Sequence, residues 1–452
     1  MNKQAVELFR KRLLGSLLTR DDVEYESASV IWNGMIDRKP SLIARCLSQS
    51  DVVCCVEFAR EQHLLVSIRG GGHNVAGNAL CDGGLMIDLS LMKKVKVDAK
   101  AKTVICQAGC TLGELDRATD RFGLAVPAGI MSETGVAGLA LGGGTGWLVR
   151  KYGLTCDHLL SAEVVTADGR TLVANSFENK DLFWGLRGGG GNFGIVTSFE
   201  FRAHSVKKVF GGVIVHPRSL ARDVLRFYRD FMSDASESLT AYCGMSSAED
   251  GTPTVSILVC YCGDSAAGEK ELKPLRDFGS PVVDTLAEIP RLDMQTMVDP
   301  AFPYGNRNYW KSSFVGELSN EAIDIMVETA SRMESPLSTV LCEYYYGAAS
   351  RIAETETAFS QRASHYNIGM IAQWKNPLED ETHVKWAQEG YEAMRPYTNG
   401  RIYANLMGGD QMEDPKQIQA VYGVNFERLL ELKRKYDHTN FFRMNQNIKP
   451  IG

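Results

Sequence analysis

No stretch of this chain approaches the ~20 consecutive apolar residues that span a bilayer. Its start, MNKQAVELFRKRLLGSLL, carries charge before and inside the apolar part, so neither a secretion signal nor a membrane anchor is expected there. The eleven cysteines are an odd number and include no C-x-x-C pair, which argues for a reduced, cytoplasmic setting. The eight histidines are scattered, with no H-E-x-x-H and no close His-Cys cluster, so no metal site is expected. A net charge of -6 without a basic stripe leaves nothing to neutralise phosphates and excludes a nucleic-acid partner. There is no G-x-x-x-x-G-K-[ST] loop and no G-x-S-x-G elbow, which removes the P-loop nucleotidases and the serine hydrolases.

What is present is a well-packed globular composition, 44% hydrophobic and 23% charged, in 452 residues, a length that predicts two domains. From Ser50 the pattern SDVVCCVEFAREQ reads as an amphipathic helix leading into the strand LLVSIR. LMIDL, KVKVDA and TVICQA read as short strands. Thr111 and Glu114 form a T-x-x-E capping box opening a helix through Phe122, and Asp168-Gly169 marks a hairpin turn within AEVVTADGRTLVA. After IVTSFEFR the texture changes to long strands such as TVSILVCYC and STVLCEYYY alternating with helices, a second α+β domain. The tail starts as a helix and ends extended and rich in amides. The expected division is 1–205 (core about 36–205), 206–424, and a segment 425–452 that returns to the first domain.

Three glycine clusters stand out: Gly70 to Gly72, Gly142 to Gly144 with Gly146, and Gly188 to Gly191 with Gly194. Single glycines mean turns, but three clusters in one half of the chain favour phosphate cradling by bare N–H groups. Gly189-x-Gly191-x-x-Gly194 matches the dinucleotide fingerprint only formally. That motif must open a helix, whereas residues 195–201 alternate as a strand.

RGGGHN at 69–74, GVAGLALGGGTGWLVRKYGLTCDHLL at 135–160, DLFWGLRGGGGNFGIV at 181–196 and the tail FFRMNQNI together resemble the FAD-linked oxidases of the berberine-bridge-enzyme-like branch. The resemblance spans nearly the whole chain. It implies an α+β, two-domain flavoprotein of the vanillyl-alcohol-oxidase type: a PCMH-type FAD-binding domain of two halves, and a substrate domain whose antiparallel sheet faces the flavin. The cofactor contacts it implies fall on Arg69, Gly70, Gly71, Gly72, His73, Asn74 and Gly77, on Thr134, Gly135, Val136, Gly138, Leu139 and Thr145, on Ile195 and Val196, and on Asn445 and Asn447. Arg69 is expected to offset phosphate charge. His73 is implied to bond the flavin 8α carbon, a role that suits an imidazole nitrogen left unshielded by neighbouring glycines.

The departures from the pattern carry as much information. Relatives with a second flavin link use a cysteine in A-G-x-C-P-T-x-G, and this chain reads Ala128-Gly129-Ile130-Met131-Ser132-Glu133-Thr134-Gly135, so FAD attached through His73 only is expected. The Y-x-N-Y catalytic tyrosine is absent from Tyr403-Ala404-Asn405-Leu406, and the berberine bridge enzyme's glutamate is replaced near Asn367. The remaining catalytic candidates are Tyr344, expected over the flavin with Tyr346 on one face of its strand and Glu343 and Tyr345 on the other, with Trp374 and Tyr403 lining the pocket. A packed, tyrosine-rich sheet surface explains any single one of them equally well.

The implied activity is hydride removal from a C–H beside nitrogen or oxygen of a small molecule, with molecular oxygen as acceptor. Thr134 adjoins the implied reactive edge of the flavin, and its valine-like shape predicts rapid reoxidation by air. A positioned base contributes ~10²–10⁴-fold to alcohol oxidation, so the missing bases favour an amine over a carbohydrate or secondary alcohol. A non-catalytic flavin-binding protein is the reading from another class, and oligomeric state, monomer or homodimer, is left open. After acid precipitation the yellow colour is expected to stay with the polypeptide and to be released by His73→Ala; free extraction from the unmodified protein overturns the reading of the RGGGHN loop.

Overall fold

The computed structural model describes residues 3–363 and 366–450. Two larger sheets build the first unit, beside a two-stranded pairing of His204–Ser205 with Leu124–Ala125. In one, the strands run in the order Ser16–Leu18, Leu42–Arg45, Leu85–Asp88, Val66–Arg69, and the last three pair in parallel. The helix Gln49–Glu61 connects two of them, N-capped by Ser48, whose hydroxyl accepts from Asp51 N. The second sheet is antiparallel, in the order Val95–Asp98, Thr103–Gln107, Ile195–Arg202, Leu159–Val165, Thr171–Asn175.

Local chemistry sets these elements as the sequence predicts. Thr111 and Glu114 form the reciprocal capping box of the helix Leu112–Asp120. The hairpin around Asp168-Gly169 closes with Gly169 at φ +83°, a conformation natural to glycine. Residues after Gly194 form the strand Ile195–Arg202, which disposes of the dinucleotide fingerprint.

The second unit is one eight-stranded antiparallel sheet, from Lys208–Pro217 to Tyr366–Trp374 and Arg307–Val315. The helices Ala221–Asp234, Asn320–Ser331 and Asp380–Met394 pack on one face with Cys243, Ile257, Cys342, Tyr344, Ile368 and Trp374. The opposite face, with Tyr242, Trp310 and Phe314, meets the first unit. Both faces are covered, so every residue of Tyr366–Trp374 is buried.

Two expectations shift. The strand STVLCEYYY ends at Tyr344, and the chain turns away through Gly347 at φ +133°. The chain rejoins the first core from Ile402 rather than from 425: Ile402, Ala404, Met407, Ile418, Val421 and Tyr422 all pack there. Nothing in the local sequence marks that crossing, because the helix Pro415–Tyr422 would be equally amphipathic against either unit.

A buried ion pair ties the units together: Arg291 Nη1 donates to Asp116 Oδ1 at 2.8 Å, with both side chains almost fully enclosed. Burial raises the Asp116 pKa even though Arg291 opposes the shift. Asp116→Ala strands a guanidinium in a dry interface and is expected to cost about 3–5 kcal/mol by urea denaturation, with Asp116→Asn milder; equal stability of wild type and Asp116→Ala would contradict the pair's role.

Candidate functional site

The strand Val66–Arg69 delivers the glycine loop to the seam between the units. There Gly71 and Gly135 lie back to back, and a Cβ on either would fall 2.4 to 2.5 Å from backbone of the other, so neither position tolerates a side chain. His73 emerges beside this contact and stacks on Trp32 with ring centroids 4.2 Å apart. Desolvation lowers its pKa to about 4, which keeps the imidazole neutral at physiological pH. Trp32 in turn donates from Nε1 to Phe302 O at 2.9 Å and meets Trp310 edge-on at 5.3 Å. Its neighbour Asn33 completes the seam, donating to Val75 O at 2.7 Å and Asn308 O at 2.9 Å and accepting from Asn308 N. The first unit's histidine loop is thus stitched to the strand Arg307–Val315 of the second. A cavity of about 330 Å³ opens beside His73, lined by Met131, Glu133, Asp299, Phe302 and Tyr304 among others.

Register across the sheet defines what faces this loop. One row reads Tyr242, Glu343, Asn367, Phe314 on four adjacent strands. The next reads Gly244, Leu341, Gly369, Ser312, and the third Thr339, Ile371, Trp310. Rows two residues apart are separated by roughly 7 Å, so about 14 Å separates the Trp310 row beside His73 from the Glu343 row. The Glu343 carboxylate accepts from Tyr345 Oη and from Asn367 Nδ2, the latter at 2.8 Å, and burial raises its pKa while both donors oppose the rise. Tyr345 Oη also approaches Thr145 Oγ1 at 3.4 Å. Tyr403 Oη accepts from Gly144 N at 3.1 Å and from Asn405 Nδ2 at 2.9 Å, and desolvation raises its pKa to about 12. Three polar atoms in these rows, Asn367 Oδ1, Tyr242 Oη and Ser312 Oγ, are buried without a hydrogen-bond partner in the protein. Such atoms cost free energy unless something fills the space before them.

The structure gathers most of the expected cofactor residues. Gly70 to His73, Gly135, Val136 and Leu139 converge at the seam, with Thr145 and Tyr403 at its far end. Asn74 and Gly77 form the turn after His73, Gly77 N donating to Asn74 O at 3.0 Å. Thr134 anchors the facing loop, its carbonyl accepting from Leu112 N at 2.8 Å. Ile195 and Val196 bury their side chains in the first core, leaving only backbone for any ligand. The residues fit FAD: Asn445 Oδ1 and Asn447 Oδ1 are buried without partners, nothing lies within 4 Å of a Cβ on Gly138, and Gly191 would meet only Asn445 Nδ2, at 4.0 Å. Arg69 departs from expectation. It is turned back to Ala28 O at 2.7 Å and to the buried Asp88 at 4.0 Å, away from a phosphate role. The middle glycine cluster also packs against protein: a Cβ would strike Asn405 from Gly142, Phe359 from Gly143 and Thr155 from Gly144.

Tyr344 and Trp374 lie on the wrong face. Tyr344 sits under the helices beside Tyr366, and Trp374 donates to Asp380 Oδ1 at 2.9 Å. The alternation was right but its sense was reversed, and Glu343 and Tyr345 are the residues that face the seam. The sequence signal for them was a single carboxylate in the otherwise uncharged strand STVLCEYYY.

A double-sheet domain carrying the histidine loop, roofed by one face of an antiparallel sheet, defines a two-domain flavoprotein of the vanillyl-alcohol-oxidase type. The family described as FAD binding domain matches residues 40–175, and that described as berberine and berberine like matches residues 403–449. The chain is 32% identical to an FAD-linked oxidoreductase of Dictyostelium discoideum, over 99% of this chain and 97% of the relative. The solved structure of 6-hydroxy-D-nicotine oxidase from Arthrobacter nicotinovorans matches at a TM-score of 0.89 and 28% identity, over 97% of this chain and 98% of that one. Chitooligosaccharide oxidase matches at 0.87 and 25%, over 99% and 100%. The chain belongs to the berberine-bridge-like FAD-linked oxidoreductases. The stretch IWNGMIDRKPSLIARC at 31–46 supplies Trp32 and Asn33.

Because Tyr344 faces the helices, Tyr344→Phe is expected to change flavin reduction by no more than about twofold while FAD stays bound. Near-complete loss of reduction, followed anaerobically by bleaching, would reinstate it as a catalytic group.

Proposed function

We propose that this protein is an FAD-dependent oxidase of small amines, with FAD held covalently by His73 alone and molecular oxygen as electron acceptor. The observation that carries the reading is the Glu343 carboxyl, buried on the sheet face opposite His73 with only neutral donors around it. Bound FAD supplies the hydride acceptor and returns the electrons to oxygen. The chain supplies positioning and proton management. An amine reaches the site as an ammonium. In a dry chamber the ion pair it forms with a carboxylate is disfavoured relative to neutral amine and neutral carboxyl, so Glu343 takes the ammonium proton. The lone pair then freed assists hydride departure from the adjacent C–H. Asn367 holds Glu343 through Nδ2, which leaves its buried Oδ1 an acceptor for a substrate N–H. Trp310, Ile371, Leu341 and Phe314 provide apolar walls, and Gly369 and Ser312 leave room between them.

His73 is held neutral, the state in which its ring nitrogen is nucleophilic, and Met131 stands in the cavity beside it where a second anchor would otherwise be. Thr134, next to Gly135 at the seam, retains the valine-like shape that supports oxygen use. A secondary-alcohol or carbohydrate oxidase is the second reading, favoured by the same carboxyl acting as base on a hydroxyl.

Anaerobic bleaching by panels of amines and of simple sugars separates the readings. Glu343→Gln is expected to slow reduction by an amine ~10²–10⁴-fold at neutral pH and to recover as pH rises through the amine's own pKa, since solvent then delivers the neutral form. Robust reduction by sugars with no response to any amine retires the proposal.

A further inference from the structure

Arg150 follows the middle glycine cluster, and its side chain is 1% exposed. Among the described residues no carboxylate lies within 4.0 Å of it. Its fork is spent on carbonyls: Nε on Tyr346 O at 2.7 Å, Nη1 on Leu239 O at 2.5 Å and Ser236 O at 3.1 Å, and Nη2 on Ala235 O at 3.1 Å. Its Cζ lies 5.0 Å from the Tyr344 ring centroid, and Arg150 backbone leaves no room for a side chain on Gly347. A buried guanidinium with no carboxylate in direct contact is costly, and Glu237 and Glu271 offset its charge only from farther away. What the rigid fork achieves is the simultaneous fixing of two segments. One, 235–239, leads directly into the strand Leu239–Ser247 that carries Tyr242. The other brackets Tyr345, with the ring of Tyr344 on one side and the carbonyl of Tyr346 on the other.

We propose that Arg150 is a positioning residue for Glu343: by holding the Tyr344 ring on one side of Tyr345 and the Tyr346 carbonyl on the other, it keeps the Tyr345 hydroxyl donating to that carboxyl, and so sets its proton affinity. The titratable groups around Glu343 are Tyr345 beyond its own strand, Tyr242 on the adjacent strand, Tyr403 from the returning chain, and Cys342 on the opposite face. Only Tyr345 is both a direct donor to Glu343 and held by Arg150. Its hydrogen bond favours the carboxylate, so loosening it raises the pH at which Glu343 ionises. The functional importance of Arg150 rests on the reading of Glu343 given above.

The test is an infrared pH titration of the FAD-loaded enzyme without substrate, with the Glu343 carboxyl band assigned by its loss in Glu343→Gln. Arg150→Met and Tyr345→Phe are each expected to raise the midpoint by ~1 pH unit and to move the protonated C=O stretch to higher frequency. The double variant Arg150→Met/Tyr345→Phe should show no further shift. Should Arg150→Met fail to fold, Arg150→Lys keeps the charge but reaches fewer carbonyls and should shift both readings in the same direction by less. A lowered melting temperature with unchanged midpoint and frequency overturns the proposal, and so does additivity in the double variant. Unimpaired amine turnover by Glu343→Gln defeats the functional reading alone, since the titration uses no substrate.

Discussion

The stack of His73 on Trp32 is the contact on which the rest of the site depends. Two units that each possess a core could dock in many ways, and what fixes their relation is a short run, Trp32 and Asn33, bonded at once to the histidine loop and to the strand Arg307–Val315. Trp32 is fully buried, its ring held by His73 on one side and Trp310 at its edge. Through it the position of His73 sets the position of the sheet face. A shift of one residue in the pairing of that strand would carry Trp310 and Ser312 to the helix side and bring Lys311 and Ser313 toward the seam.

Dryness is the second common theme. His73 is pushed toward its neutral form, and Glu343, Tyr345 and Tyr403 are pushed the same way by the same desolvation. On the proposed reading, such a chamber favours neutralising a charged substrate on arrival. Arg150, a buried cation, is tolerated because four carbonyl dipoles surround it. Charge is admitted only where geometry is needed in return.

The glycines divide between two jobs. Gly71 and Gly135 permit backbone to touch backbone, and Gly142 to Gly144 make room for Asn405, Phe359 and Thr155. Gly138, Gly190 and Gly191 front open or polar space beside Asn445 and Gln446, the part of the fold suited to a dinucleotide. Phe359, inserted against both Gly143 and Gly188, locks the middle and last clusters to the second unit. Cradling and close packing look the same in a string of glycines, since each demands the absence of a side chain and only the neighbours tell them apart.

The amino-acid sequence by itself determined the local elements and the order of the chain. The capping box at Thr111, the turn at Asp168-Gly169 and the strand after Gly194 each follow from chemistry within a few residues. It also determined that Glu343 pairs with Tyr345 on one face and that Tyr344 looks the other way. Tertiary structure alone decided which face meets the cofactor domain, because helices cover one side of the sheet and the first unit covers the other, so no polar side marks the outside. The same holds for Arg69, drawn back to Ala28 and Asp88, and for the return of the chain at Ile402 rather than 425. Trp32 and Arg150 act on partners up to 270 and 196 residues away, and a contact at that separation leaves no periodic trace in the sequence near either end.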